Sequence, residues 1–279
     1  MGDHRQRETG ERVVIPRADI IEWRAAGHPW QTDAMVEQDL IISRVLAELF
    51  SDAEISGQLV FRGGTALHKL FFDEPKRYSE DIDLVQREAG PIGPVFNRVR
   101  EILESWMGVP QRKQGPGLAT MTFRLQSEDA PPQPLRVKVE INTREHFQAL
   151  PIQMKPFAVA CRWFSGKTVL PVYDLNELLA TKLRALYQRR KGRDLFDIAS
   201  AIRTQACDPA LVIPVFERYM EAEGHRITRS EYRENLAAKM EHPGFKSDCT
   251  PLLRPGIGFD LRADQALVDS LLLARIAGE

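Results

Sequence analysis

The chain has 279 residues, 43% of them hydrophobic, and a formal net charge of -1 at pH 7. That is enough apolar matter for one large or two modest domains, and the balanced charge excludes the global basic field of a nucleic-acid coat protein, so any RNA contact must come from a local patch. Cys161, Cys207 and Cys249 form no metal or disulfide spacing and suit a reduced, cytoplasmic setting, no apolar run approaches the roughly 20 residues that cross a membrane, and the polar segment 1–12 reads as a frayed tail without the apolar centre of a signal peptide.

Residues 33–50 carry Met35, Leu40, Ile41, Val45, Leu46 and Leu49 at helical spacing and are predicted as a helix. Residues 58–61 read as a short buried strand, 65–72 as a helix ended before Pro75, and 81–85 as the next strand. A helix over 95–106 is closed by Gly108 and Pro110. Residues 119–125 set Ala119, Met121, Phe123 and Leu125 against Thr120, Thr122 and Arg124, the alternation of a half-buried strand. After the proline loop at 131–134, residues 135–142 alternate again, with Leu135, Val137, Val139 and Ile141 on one side. Residues 1–172 are therefore expected to form an α/β (α+β) domain on a mixed or mostly antiparallel sheet.

From residue 173 the pattern turns helical. Asp174 is a candidate N-cap with Glu177 three residues on, and Leu175, Leu178, Leu179, Leu183 and Leu186 form the stripe that follows. Further helices are expected over 194–203, 209–222, 229–240 and 264–277, with a loop at 251–258. Residues 173–279 thus read as a helical C-terminal domain.

The chemistry-bearing residues cluster between 61 and 85. Asp81 and Asp83, two apart on a strand, share one face, whereas Glu80, Ile82 and Leu84 point to the other. Adjacent carboxylates repel unless a cation lies between them, and magnesium suits oxygen ligands and phosphates. Glu140, on the polar face of 135–142 with Arg136, Lys138 and Asn142, would complete a three-acid cluster, as metal ligand or base, if the two strands are neighbours; otherwise it is a salt-bridge partner of Lys138 or Arg136. Such a cluster can hold two metals about 4 Å apart. Gly63 and Gly64 allow close backbone approach to a phosphate, the helix start behind them offers free N–H groups, and Thr65 adds a hydroxyl. Arg77 either binds a phosphate or neutralises Asp81. Ser79 shares the parity of Asp81, and a phosphate on it would compete for the metal. In the segment 181–197, Lys182 is a candidate triphosphate ligand. Arg184, Arg189, Arg190 and Arg193 are candidate contacts to RNA backbone, the bland alternative being a solvated turn with Asp194 as helix N-cap.

Taken together, Gly63-Gly64-Thr65-Ala66-Leu67, Ser79-Glu80-Asp81-Ile82-Asp83 and Lys182 through Arg193-Asp194-Leu195-Phe196-Asp197 resemble the AbiEii/AbiGii toxin family of nucleotidyltransferases, in the DNA polymerase-β-like superfamily, which includes the MenT-type toxins. The resemblance implies a two-lobed enzyme using a nucleoside triphosphate and magnesium, or manganese in its place. It also implies an antitoxin partner, typically a winged-helix regulator, and transfer to the 3′ end of transfer RNA that blocks aminoacylation and translation. It assigns Asp81, Asp83 and Glu140 as metal ligands, Lys182 to the nucleotide, and Asp197 as a further catalytic residue. Three other readings stand beside it. One is nucleotidylation of a protein Ser, Thr or Tyr, and another is a non-catalytic nucleotide-binding partner of an antitoxin. The third is a glycosyltransferase, which the Gly-Gly-Thr turn and the Lys182 segment disfavour.

Overall fold

The computed structural model describes residues 15–204 and 207–278, so the expectation for segment 1–12 lies outside the described residues. Strands form at Leu59–Arg62 (β1), Asp81–Gln86 (β2), Gln111–Gly115 (β3), Leu118–Gln126 (β4), Pro134–Asn142 (β5), Gln153–Ala160 (β6) and Ser165–Val172 (β7). They make one sheet in the order β3-β4-β5-β2-β1-β7-β6. The pairs β2–β5 and β1–β7 are parallel and the other neighbours antiparallel, so the sheet is mixed. Helices form at Arg17–Ala25 (α1), Asp33–Ser51 (α2), Ala53–Gln58 (α3), Gly63–Leu70 (α4), Gly93–Met107 (α5), Leu175–Gln188 (α6), Gly192–Arg203 (α7), Pro209–Ala222 (α8), Arg229–Met240 (α9), Pro243–Ser247 (α10) and Leu261–Leu271 (α11).

Alternation decides which side of the sheet is covered. Ala119, Met121, Phe123 and Leu125 of β4 and Leu135, Val137, Val139 and Ile141 of β5 are all buried, on the side where α2 and α5 pack. Burying a large apolar side chain is worth about 1.5–3 kcal/mol, so a one-residue slip that exposed this set would be prohibitive. Register is thereby fixed, and the polar sets of the same strands are left on the uncovered face. The buried apolar side chains fall into two clusters, one between the sheet and α2 and α5, the other among α6 to α9 and α11. Leu67 and Phe72, on and just after α4, belong to the second cluster although they lie in the first half of the chain.

Several elements lack a sequence signal. β3 reads Gln-Arg-Lys-Gln-Gly, is exposed throughout, and is held by its ladder to β4 and by Arg112, which bonds Asn97 at 2.9 Å and lies over the Phe96 ring. β6 contains Pro156 and lies at the other sheet edge, the position where a strand tolerates proline. α4 starts at Gly63, earlier than expected, and the helix expected over 264–277 is α11 followed by a separate turn at Leu273–Arg275. Asp174 does cap α6, accepting from the Asn176 N–H, but Glu177 does not close a capping box. It is buried, accepts from the N–H groups of Ala149 and Leu150 at 2.7 and 2.9 Å, and takes the Tyr219 hydroxyl at 2.7 Å. Among the described residues no helix is long and apolar enough to cross a membrane, and the cysteines are free.

Candidate functional site

The register of β2 explains why its acids meet the rest of the cleft. β2 lies between β1 and β5, so Asp83 faces Arg62 on one side and Glu140 on the other, while Asp81 faces Lys138. Paired residues of neighbouring strands project to the same face. Asp81, Asp83, Lys138 and Glu140 therefore form one patch, and they line a polar cavity of about 180 Å³ together with Gly64, Arg77, Ser79, Glu80, Lys182, Arg189 and Arg193.

Glycine is required where the chain leaves β1. Gly63 has φ +81°, and a Cβ there would lie 2.1 Å from Asp83 Oδ2. At Gly64 a Cβ would lie 2.7 Å from the Arg77 guanidinium and 3.1 Å from the Ser79 hydroxyl. The two glycines thus let α4 begin directly against the acid strand. Thr65 is buried, and its hydroxyl bonds the Asp81 carbonyl and lies 2.9 Å from the Ser79 hydroxyl. It fastens α4 to the entry of β2 and does not face the cavity, a correction to its expected place on a phosphate. Glu80 precedes the first residue of β2, so strand parity does not govern it; it lies on the cavity rim, not turned away from it.

The acid wall carries more negative charge than its neighbours offset. Burial pushes the Asp83 carboxyl above its ordinary range, and nearby Asp81 and Glu140 push it further against the opposing pull of Arg62. The Lys138 ammonium stands 3.4 Å from Asp81 and 3.2 Å from Glu140. Burial works against its charge, but the two acids override that and raise its pKa. Among the described residues no three Asp, Glu, His or Cys side chains already converge as a metal site; this ammonium stands between two of the acids instead. The donor chemistry fits a hard divalent cation all the same: three carboxylates on neighbouring strands, no sulfur or imidazole, and a deficit of positive charge.

The basic wall is built around Asp197, which is fully buried on α7. Arg77 grips it with two parallel bonds of 2.7 and 2.6 Å, Lys182 reaches it at 2.6 Å, and His68 Nε2 lies 2.9 Å away. Burial opposes ionisation of Asp197, but Arg77, Lys182 and His68 hold its carboxyl well below the usual range. Burial pushes His68 down to about 4, outweighing Asp197. The neutral ring then donates from Nε2 to Asp197 and accepts the Lys76 N–H at Nδ1, at 3.3 Å. Asp194, also fully buried, takes Arg189 through bonds of 2.7 and 2.9 Å and lies 3.5 Å from Lys182.

Of the sequence-expected residues, Gly64, Arg77, Ser79, Asp81, Asp83, Glu140, Lys182, Arg189 and Arg193 share the cavity. Gly63 stands directly behind it. Asp197 does not face it: it sits behind Arg77 and Lys182 and positions both. Arg77 pairs with Asp197 and not with Asp81. Arg184 is buried and bonded to Glu145 and Glu223 at 2.7 and 3.0 Å, with its guanidinium over the Tyr219 ring, so it is not free for RNA. Asp194 is not the N-cap of α7, which begins at Gly192. Sequence reasoning missed Lys138 as a cavity residue, although it shares the parity of Glu140. It also missed His68, for which no local signal exists because its partner is 129 residues away.

The sequence matches the family described as Nucleotidyl transferase AbiEii toxin, Type IV TA system, over residues 44–267. Among solved structures the fold is similar to MenT4, a nucleotidyltransferase toxin from Mycobacterium tuberculosis, with TM-score 0.63 and 17% identity over 95% of this chain and 91% of that one. It is also similar to JHP933 from Helicobacter pylori, with TM-score 0.50 and 16% identity over 87% of this chain and 91% of that one. At these identities the likeness is one of fold. No curated protein sequence matches the chain significantly.

Proposed function

This chain belongs to the AbiEii family of nucleotidyl transferase toxins, and from that premise we propose that it moves a nucleoside monophosphate from a nucleoside triphosphate onto the 3′ end of a transfer RNA, blocking aminoacylation and translation. The observation that carries the reading is one polar cavity with Asp81, Asp83 and Glu140 on one wall and Arg77 and Lys182 on the other. That is the polarity a metal-bound triphosphate needs.

Asp81, Asp83 and Glu140 would hold magnesium, or manganese in its place. When bound, that metal neutralises the triphosphate and makes the attacking hydroxyl more acidic. The protein's own groups do the positioning. Arg77 and Lys182 bind phosphate oxygens, and Asp197 keeps both from swinging away. The backbone at Gly63 and Gly64 admits the phosphates close to the start of α4, and the Ser79 hydroxyl orients them. The acceptor hydroxyl loses its proton to water as its oxygen attacks the α-phosphorus in line, the bond from that phosphorus to the bridging oxygen breaks, and pyrophosphate leaves. Negative charge developing on the transferred group is met by groups already fixed in place. The family assignment brings with it an antitoxin; a winged-helix regulator and a cytoplasmic site of action complete the proposal.

The test is to incubate the protein with each α-labelled triphosphate, magnesium and total cellular RNA, then separate RNA from protein. Label in a transfer-RNA band is the expected result. Label in protein alone would support nucleotidylation of a Ser, Thr or Tyr acceptor. No label from a folded protein would sink both.

A further inference from the structure

An RNA acceptor must be gripped outside the cavity, and most of the basic residues from α6 into α7 are not available for this. Arg184 is tied to Glu145 and Glu223, Arg189 to Asp194, and Arg193 stands 3.7 Å from Asp248. Lys191 is likewise bonded to Asp248 at 3.0 Å. Only Arg190 in this run is exposed without an acidic partner among the described residues.

The uncovered face of β3, β4 and β5 is different. Its register continues the acid wall sideways: Asp83, Glu140, Thr120 and Lys113 form one row, and Asp81, Lys138, Thr122 and Gln111 the next. Arg136 and Arg124 form a third row on the same face. Lys113, Arg124 and Arg136 are exposed. None has an acidic partner among the described residues; Arg124 makes only a 3.4 Å bond to neutral Gln111. Apart from Glu140, the residues that β3, β4 and β5 present on this face include no carboxylate. Neighbouring strands lie about 4.8 Å apart, which puts Lys113 roughly 14 Å from Asp83, three strands away. The face therefore joins unpaired cations and neutral hydrogen-bonding groups directly to the cavity, in a chain whose net charge is -1.

We propose that this sheet face is the platform for the acceptor RNA: its phosphates lie across Lys113, Arg124 and Arg136, and its 3′ end passes Lys138 into the cavity. The inference rests on the RNA-acceptor reading given above. The phosphate contacts are sequence-independent and must weaken with salt.

The experiment measures binding of mixed transfer RNA by fluorescence anisotropy over a salt series, for the wild type, for the combined variant Lys113→Ala, Arg124→Ala, Arg136→Ala, and for Arg190→Ala. The combined variant should bind at least about tenfold more weakly at physiological salt and lose about 3 from the slope of log affinity against log salt. Arg190→Ala should lose at most about 1. Triphosphate binding by calorimetry and the melting temperature should not move in the combined variant, because its three side chains are exposed and outside the cavity. Wild-type affinity and slope in that variant would overturn the platform while leaving the RNA-acceptor reading intact. A wild type that ignores RNA and labels protein would overturn both.

Discussion

Asp81, Asp83 and Glu140 stand on two strands, and only Asp81 and Glu140 share an ammonium, that of Lys138. Arg77, Lys182 and His68 stand on a loop and two helices and share one carboxylate, Asp197. The acid wall faces the cavity and remains short of positive charge, with Asp83 pushed up. The basic wall has its counter-charge buried behind it, bonded by every partner. In the proposed reading, the acids that would receive a cation are left undersupplied, whereas the cations that would hold an incoming anion are braced from the rear. The acids should therefore matter to activity and hardly to stability, and Asp197 should matter strongly to stability.

The largest expected effect tests the acid wall. Asp83→Asn should cut nucleotide transfer by at least about 10³-fold, the scale of several kcal/mol of lost charge stabilisation, yet leave the melting temperature equal or higher, since the native surroundings disfavour that charge. A variant that melts well below the wild type would break the comparison. Next comes the brace: Asp197→Ala leaves Arg77 and Lys182 buried without their partner and should cost about 3–5 kcal/mol in urea unfolding. A loss under about 1 kcal/mol would show that the two cations find other partners.

The smallest of the three effects is read through pH. His68 falls from 6.5 to about 4 in the folded protein, so between those values the unfolded chain binds more protons. Stability is then full above the unfolded value and falls as pH drops through the window, by about 2 kcal/mol at pH 5. His68→Gln keeps an N–H for Asp197 and removes the titration. Urea midpoints at pH 7.5 and pH 5 should therefore lie closer together in this variant than in the wild type; an unchanged gap would assign the pH dependence to other groups.

How much of this was legible in the chain follows the range of the forces involved. The shared face of Asp81 and Asp83, the facing of Glu140 and the glycine turn depend on two-residue periodicity and on glycine's missing Cβ, both local properties. The stripe that carries Lys182 was legible as a helix for the same reason. Asp197 could be flagged but not understood, because its role is a pairing with Arg77 across 120 residues. Arg184, Arg189 and Arg193 misled because a basic run looks solvated until the chain turns Asp194 back onto Arg189 and tertiary contacts bring Glu145, Glu223 and Asp248. β3 and β6 stayed hidden because an edge strand gains little burial, so its sequence need not alternate apolar and polar residues.

Asp197 also lies late in the chain, on α7, after every strand of the sheet. A chain emerging from the ribosome as far as β7 already contains the glycine turn, all three acids of the sheet, and Arg77. It lacks Lys182 and the carboxylate that holds Arg77 in place, and Leu67 and Phe72 of the α4 region still await the helices they pack against. The cleft is completed only when α7 closes on α6. Until α7 has been synthesised, no chain can hold Arg77 and Lys182 on Asp197.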